Sequence, residues 1–205
     1  MKSLPRGQIK SYVMDRIERS EPHSVFFISD FVDKGSSETI RKIFFQATEA
    51  GMLERVSQGI YVKPKESRFG RIPVSLEKLA VEIADRDKSR ILPSGSTAAN
   101  MLGLSTQIPM NMSYITTGST RAIEVDGRRL FFRHAAPKNF AAKGNAVPLM
   151  VQGLKEIGEN NISESQFAAL KNFIDDTDDP YLSEDILLAP LWIQKIIRKL
   201  MQNNR

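Results

Sequence analysis

The sequence predicts an α+β fold in which an N-terminal winged helix-turn-helix is followed by a mixed α/β domain with a helical C-terminal tail. Three observations predict it. Three helix patterns and a glycine-centred hairpin follow one another before residue 66, short strand-like segments recur between residues 91 and 132, and apolar residues return at helical spacing after residue 147. We therefore predict two domains, 1–66 and 72–205, joined by a polar, basic linker.

The first element is a helix that ends near Arg19. Ser3 and Pro5 suit its first turn, and apolar residues recur at every fourth position along one face, namely Ile9, Val13 and Ile17. A short β-type run, Val25–Phe27, follows it. The chain thus begins with a helix and a strand.

Two further helices are predicted before residue 52. Ser29 caps a brief second helix that stops at Gly35. A third helix starts at Ser36 and Ser37 and ends before Gly51, and its apolar face consists of Ile40, Ile43, Phe44 and Ala47. Strand-like segments at 53–57 and 60–62 then flank Gln58-Gly59, a turn that suits a tight hairpin.

In a winged helix-turn-helix, the third helix enters the major groove of DNA. Arg41 and Lys42 lie opposite its apolar face and are the best candidates for base or phosphate contacts. Glu38 lies on the same side of the helix, and its negative charge counts against tight binding to DNA. Phe45 is also on this face and would stack, pack on the wing or contact the second domain. The predicted DNA-contacting residues of the third helix and wing are Ser36, Ser37, Thr39, Arg41, Lys42, Arg55, Ser57, Gln58, Lys63 and Lys65.

Each part of this surface also has a plainer interpretation. The hydroxyl residues at the start of the third helix would either bind phosphate or only cap the helix. The basic hairpin would either contact the DNA backbone or be solvated. The excess of basic charge lies toward the N-terminus, because residues 1–71 carry 13 Lys and Arg against 9 Asp and Glu, whereas residues 135–205 carry 8 against 9. An excess of this size is also ordinary for a folded domain, so the helix and hairpin pattern decides the interpretation.

The second domain begins with a helix that Ser75 caps. A strand at 91–92 leads into a turn and a helix that ends at Leu102-Gly103. Three strands are then predicted at 114–117, 123–125 and 130–132, and Asp126-Gly127 is a strong hairpin signal between the last two. The helices of the tail are predicted at 147–158, after the capping box formed by Ser163 and Gln166, and from Pro190 onward.

No catalytic constellation is apparent, and we predict no enzyme activity, metal or cofactor. There is no Cys, and His23 and His134 lie far apart in the sequence. The Gly-Ser turn at Gly95 resembles a nucleotidyltransferase start, but it lacks the paired carboxylates that such a site needs. The acidic run Asp175, Asp176, Asp178 and Asp179 is interpreted as a solvated loop.

A cytoplasmic location is the expectation from two features. The lack of Cys suits a reducing compartment, and residues 1–7 lack the apolar core of a signal peptide. The longest apolar stretch, 186–193, is interrupted by Pro190 and is shorter than a membrane-spanning helix needs to be.

Four segments carry a resemblance to a known family. Residues 37–64 (SETIRKIF to QGIYVKP), 92–104 (LPSGSTAANMLGL), 115–121 (ITTGSTR) and the basic hairpin 128–134 (RRLFFRH) resemble AbiEi-type antitoxins of type IV toxin-antitoxin systems. The resemblance extends over roughly residues 1–140.

The resemblance implies a protein with two activities. Its N-terminal domain would repress its own operon by binding repeats in the double-stranded promoter DNA, and its C-terminal part would counter a nucleotidyltransferase-like toxin without a stable complex. The candidate antitoxin surface is a set of arginines around one hairpin, which is equally interpretable as a solvated strand face: Arg121, Arg128, Arg129 and Arg133. Two alternatives stay open, a plain transcriptional regulator whose C-terminal domain dimerises or binds a ligand, and an enzyme acting on nucleotides through Gly95.

Overall fold

The computed structural model describes residues 5–202, which divide between Glu82 and Ile83 into two compact units, unit 1 before this point and unit 2 after it. Ser3, predicted for the first helical turn, lies outside the described residues. The division between the units falls inside the helix Leu76–Arg86, which is later in the chain than the predicted linker. Both helices and sheets are present, so the α+β class is confirmed.

Unit 1 alternates helices with short strands. Its elements are α1 (Arg6–Arg19), β1 (Val25–Phe27), a 3₁₀ turn (Ile28–Phe31), α2 (Ser37–Glu49), β2 (Glu54–Ser57), β3 (Ile60–Val62), β4 (Lys65–Ser67), β5 (Gly70–Ile72) and the first part of α3 (Leu76–Arg86). The first three strands form an antiparallel sheet in the order β1-β3-β2, and β4 and β5 form a separate antiparallel hairpin.

The core of unit 1 is built from the apolar faces that the sequence predicts for α1 and α2. Ile9, Val13 and Ile17 are buried on α1. Phe44 of α2 lies between two other rings, with centroid distances of 5.6 Å to Phe31 and 4.8 Å to Tyr61, both edge to face. Such pairs stabilise a core beyond the area that they bury, so they fix α2 against the sheet.

Two predictions for unit 1 were wrong. The second helix is only the 3₁₀ turn, and Ser29 lies inside it instead of capping it. The carboxylate of Asp30 accepts the backbone N–H of Phe27 at 2.8 Å and stabilises the start of this turn. The stretch expected as an irregular linker contains the β4–β5 hairpin, whose residues are all exposed, so it has no apolar alternation to reveal it.

Unit 2 combines a mixed sheet with a group of helices. Its elements after α3 are β6 (Ile91–Pro93), α4 (Gly95–Met101), β7 (Met112–Thr116), β8 (Arg121–Val125), β9 (Arg128–His134), α5 (Ala146–Ile157), α6 (Glu164–Asp175), α7 (Leu182–Asp185) and α8 (Leu191–Gln202), with 3₁₀ turns at Pro137–Phe140 and Ile186–Leu188. The strand order is β6-β7-β9-β8, and only the β7–β9 pair is parallel among these strands.

The helical half of unit 2 has its own apolar core. α4 and α5 approach closely at Gly153, where a Cβ would lie 3.3 Å from the carbonyl oxygen of Ala98. Side chains from α4 to α8 fill the rest of this core, including Leu102, Met150, Leu154, Leu170, Ile193 and Ile197. No helix within residues 5–202 combines the length and apolar character that crossing a membrane requires.

The start of α5 is held by two carboxylates from a distant part of the chain. Asp185 is 2% exposed and accepts the backbone N–H groups of Lys143 at 3.1 Å and Gly144 at 2.7 Å. Asp179 accepts those of Asn145 and Ala146, each at 3.1 Å. Carboxylates near a helix N-terminus satisfy N–H groups that have no partner within the helix. The interpretation of the acidic run as a solvated loop is therefore wrong for Asp179.

Candidate nucleic-acid interface

Helix α2 has one buried face and one exposed, charged face. Ile40, Phe44 and Ala47 are fully buried, whereas Arg41 and Lys42 are exposed. This division follows from the 3.6-residue helical repeat, since positions three and four apart share a face. α2 corresponds to the predicted third helix. Its two basic candidates, Arg41 and Lys42, are therefore on the surface of unit 1.

The charges on this face are only weakly paired. Lys42 Nζ lies 2.7 Å from Glu38 Oε1 in an exposed i,i+4 ion pair, an arrangement that contributes about 0.3–0.5 kcal/mol. Arg41 makes no ion pair or side-chain hydrogen bond to any residue in 5–202. Phe45, 64% exposed, lies on the same face. The face therefore offers one free guanidinium, one weakly held ammonium and an aromatic ring.

The hydroxyl groups at the start of α2 mostly serve the helix itself. Ser36 is the N-cap, and its Oγ accepts the backbone N–H of Thr39 at 3.2 Å. The Oγ atom of Ser36 also lies 2.9 Å from the hydroxyl oxygen of Thr39. Ser37 is exposed in the first turn. Capping is therefore a role of Ser36, and phosphate binding by these residues stays a prediction.

The β2–β3 hairpin carries three of the candidate residues near its tip. Arg55 pairs with Tyr61 and Ser57 with Ile60, so Val56 is the extra residue of a bulge. The turn contains Gln58, which is exposed, and Gly59, whose φ of +73° is accessible to glycine at little cost. Arg55 is exposed, whereas Ser57 is half-buried. The hairpin therefore presents the side chains of Arg55 and Gln58 to solvent.

Lys63 is placed differently from the other candidates. Its Nζ donates to the carbonyl oxygen of Glu18 at 2.6 Å and to that of Ser20 at 2.7 Å. These carbonyls belong to the end of α1, where helical carbonyl groups lack partners and a cation is favourable. The ammonium group of Lys63 is therefore hydrogen-bonded within unit 1.

The β4–β5 hairpin contributes functional candidates that the sequence reasoning missed. Lys65, already a candidate, lies on β4, and Arg68 and Phe69 form the tip. Phe69 is 85% exposed, and the guanidinium of Arg68 lies 4.6 Å from its ring centroid. Arg71 on β5 approaches Glu54 of β2 at 3.8 Å. The Gly at position 70, with φ of +106°, was the available signal for this turn.

In unit 2, the four candidate arginines do not share one face. Along β9, Leu130 and Phe132 are buried while Arg129 and Arg133 are exposed, because successive side chains of a strand point to opposite sides. Arg128 has the same parity as Leu130 and is half-buried. The exposed side of β9 thus carries Arg129 and Arg133 with the exposed ring of Phe131 between them.

The guanidinium of Arg121 makes contacts within unit 2. It pairs with Asp87 and lies 5.2 Å from the ring centroid of Phe132. Burial raises the pKa of Asp87, but hydrogen bonds from Arg86 and Arg121 outweigh that effect and hold the pKa of this carboxyl below its ordinary value. Arg121 therefore supports the fold of unit 2 through an ion pair.

Replacing Asp87 with asparagine is expected to lower the free energy of unfolding by about 1 kcal/mol at neutral pH. Because the folded-state pKa is depressed, this contribution is present above the unfolded-state pKa and is lost as pH falls through the folded-state value. Urea unfolding of wild type and Asp87→Asn at about pH 7 and about pH 3 measures it. A difference of equal size at both pH values would contradict the ion pair.

Each histidine ring contacts a backbone carbonyl group, and Gly95 is the first residue of a helix. His23 Nε2 lies 2.8 Å from the carbonyl oxygen of Ile72, and His134 Nδ1 lies 2.9 Å from that of Gly118. Gly95 begins α4 with φ of +57°, a backbone conformation that favours glycine. Within residues 5–202, no group of three or more His, Asp or Glu is arranged to hold a metal ion.

Comparison with known proteins gives one match. A family model described as a family of unknown function (DUF6088) matches residues 12–181, a range that includes most of unit 1 and most of unit 2. No curated protein matches the chain.

Proposed function

The chain belongs to the DUF6088 family, whose function is unknown, and we propose that it is a DNA-binding antitoxin of a type IV toxin-antitoxin system. Unit 1 acts as a winged helix-turn-helix that binds repeats in the promoter of its own operon and represses transcription. Unit 2 counters a nucleotidyltransferase-like toxin, and a stable complex between the two proteins is not required.

The exposed face of α2 carries the DNA-binding half of this proposal. Helix, strand, short helical turn, helix and hairpin follow one another in unit 1, which is the element order of a winged helix-turn-helix. In that arrangement α2 is the helix that enters the major groove, and Arg41 and Lys42 are its outward-facing cations. Arginine and lysine contact either guanine edges or phosphates.

The two hairpins of unit 1 supply further basic and polar side chains to this proposal. The β2–β3 hairpin supplies Arg55 and Gln58 as backbone contacts, and the β4–β5 hairpin adds Lys65 and Arg68. Neutralising phosphates with such side chains releases counterions and provides affinity that depends on salt. Lys63 is omitted from this interface because its ammonium is bonded to the end of α1.

The antitoxin half rests on the segments of unit 2 that resemble AbiEi-type antitoxins. Residues 92–104 form the end of β6 and all of α4, and residues 128–134 form β9. Of the four candidate arginines, Arg129 and Arg133 are exposed without a charged partner within the described chain. They are therefore the residues through which we propose that unit 2 acts.

A second candidate function is a plain transcriptional regulator whose C-terminal domain binds a ligand. It is favoured by a cavity in unit 2 that is described in the next subsection. The two candidates share the DNA-binding role of unit 1 and differ in what unit 2 does, so an experiment on unit 2 separates them.

Growth of cells that express the neighbouring gene tests the antitoxin half. We expect the full-length chain to restore growth, because unit 2 counters the toxin. Arg129→Ala with Arg133→Ala is expected to abolish most of this rescue, whereas Arg41→Ala with Lys42→Ala is expected to preserve it when the toxin is expressed from an unrelated promoter. Colony counts and growth rates provide the measurement.

The matched control for that experiment is Lys195→Ala with Arg198→Ala, which removes the same charge from the exposed side of α8. It should rescue like wild type. A harmless neighbouring gene, or toxicity that the wild-type chain leaves unchanged, would contradict the antitoxin proposal for that pair and favour the plain regulator.

A further inference from the structure

Unit 2 contains a cavity of about 390 Å³ along one side of α5. The segment after β9 closes one side, and the residues before α8 close the other. Its apolar lining includes Val147, Pro148, Val151, Leu188, Ala189 and Pro190. The volume lies in the range of small-molecule sites, which are usually apolar with a few polar groups.

One polar side chain in this cavity has no protein partner. Gln152 lines the cavity, is 8% exposed, and makes no side-chain hydrogen bond to any residue between 5 and 202. Its amide nitrogen and oxygen are not among the fully buried, unpartnered side-chain atoms of the described residues, so they reach the water in the cavity. A glutamine at this place, where leucine would fit the apolar lining, is explained if the amide binds something that enters the cavity.

The charged residues of the lining all have one sign. Lys138 and Lys155 are exposed at the edge of the cavity, and Asn139 lies beside them. No Asp or Glu is among the lining residues of the described chain. Cations next to a low-dielectric cavity attract an anion more strongly than they would in open water.

We propose that this cavity binds a small organic anion with an apolar body. The apolar part lies against Val151 and Leu188, the acidic group lies near Lys138 and Lys155, and the Gln152 amide hydrogen-bonds a polar edge of the ligand. The site lies entirely within unit 2 and does not depend on DNA binding by unit 1. It gives unit 2 the chemistry of an effector-binding domain.

The test uses 1-anilinonaphthalene-8-sulfonate, an aromatic anion whose fluorescence rises in apolar sites, and the uncharged N-phenyl-1-naphthylamine. We expect Lys138→Gln with Lys155→Gln to weaken binding of the anion to the full chain by roughly tenfold and to change binding of the neutral probe by less than about twofold. Lys195→Gln with Arg198→Gln is the matched control, and both affinities should stay at wild-type values. Equal anion affinity in wild type and in the cavity variant would overturn the proposal.

A second variant separates a ligand-binding amide from a structural one. We expect Gln152→Leu to weaken binding of the anionic probe by about fivefold and, without any ligand, to leave the urea midpoint of unfolding near its wild-type value. The first effect reports loss of a hydrogen bond to the ligand, and the unchanged midpoint shows that the fold does not depend on the amide. A lower midpoint together with unchanged probe affinity would show that Gln152 only supports the fold and would overturn its proposed role.

Discussion

Replacing Arg41 and Lys42 together with alanine is expected to weaken binding of the full chain to its own promoter by roughly 100-fold. Each side chain is an exposed cation on α2, and loss of a good base or phosphate contact costs about 1–3 kcal/mol. The dependence of affinity on salt should also flatten by about one unit of slope for each lost phosphate contact. Titration of promoter DNA at several salt concentrations measures both effects.

Lys10→Ala with Arg19→Ala is the matched control, because it removes two exposed charges from α1 instead of α2. Glu38→Gln is a useful opposite change, since it frees Lys42 from its ion pair and removes a negative charge near the DNA. We expect it to raise affinity several-fold. Promoter affinity and salt dependence that stay the same in Arg41→Ala with Lys42→Ala would refute α2 as the DNA-contacting helix.

Asp185→Ala is expected to lower the free energy of unfolding of unit 2 by about 3–5 kcal/mol. The substitution removes two hydrogen bonds from backbone N–H groups to a carboxylate, each contributing about 1.5–3 kcal/mol. It also leaves those N–H groups without a partner where the side chain is 2% exposed. Asp185→Asn, which keeps one acceptor oxygen, should lose about half as much stability.

The single tryptophan makes this measurement specific. Trp192 lies on α8 and packs against the helical core of unit 2, so its fluorescence during urea unfolding reports on that unit. Asp178→Ala is the matched control, because this acid is exposed and lies seven residues before Asp185 in the same segment between α6 and α8. Its effect should stay within about 0.5 kcal/mol. If Asp185→Ala unfolded at the wild-type urea concentration, the carboxylate would not be holding the start of α5.

Local patterns in the sequence were sufficient for most helices and turns. The N-cap at Ser36, the capping box between Ser163 and Gln166 and the turn at Asp126-Gly127 all form as predicted. Each of these depends on residues within four positions of one another, so the sequence shows donor, acceptor and spacing together. The exposed position of Arg41 followed in the same way from helical periodicity.

Contacts between distant residues were not predictable in this way. Lys63 reaches carbonyl oxygens 43 and 45 positions earlier, and Asp185 reaches N–H groups 41 and 42 positions earlier. A local pattern cannot assign such partners, so Lys63 was grouped with the DNA contacts. The β4–β5 hairpin was missed for another reason: its strands have no buried face, and alternation of apolar and polar residues is the signal that predicts strands.

The carboxylate contacts at the start of α5 also set an order of events during protein synthesis. Every hydrogen bond named for unit 1 joins residues that have left the ribosome once residue 82 is exposed, so this unit can fold while translation continues. The N–H groups of Lys143 and Gly144 must wait about forty residues longer for Asp185, at a translation rate of about 5–20 residues per second. A nascent chain that stalls in this interval would carry a folded unit 1 and an unfinished unit 2. On the function proposed above, such a chain would bind promoter DNA without acting on a toxin.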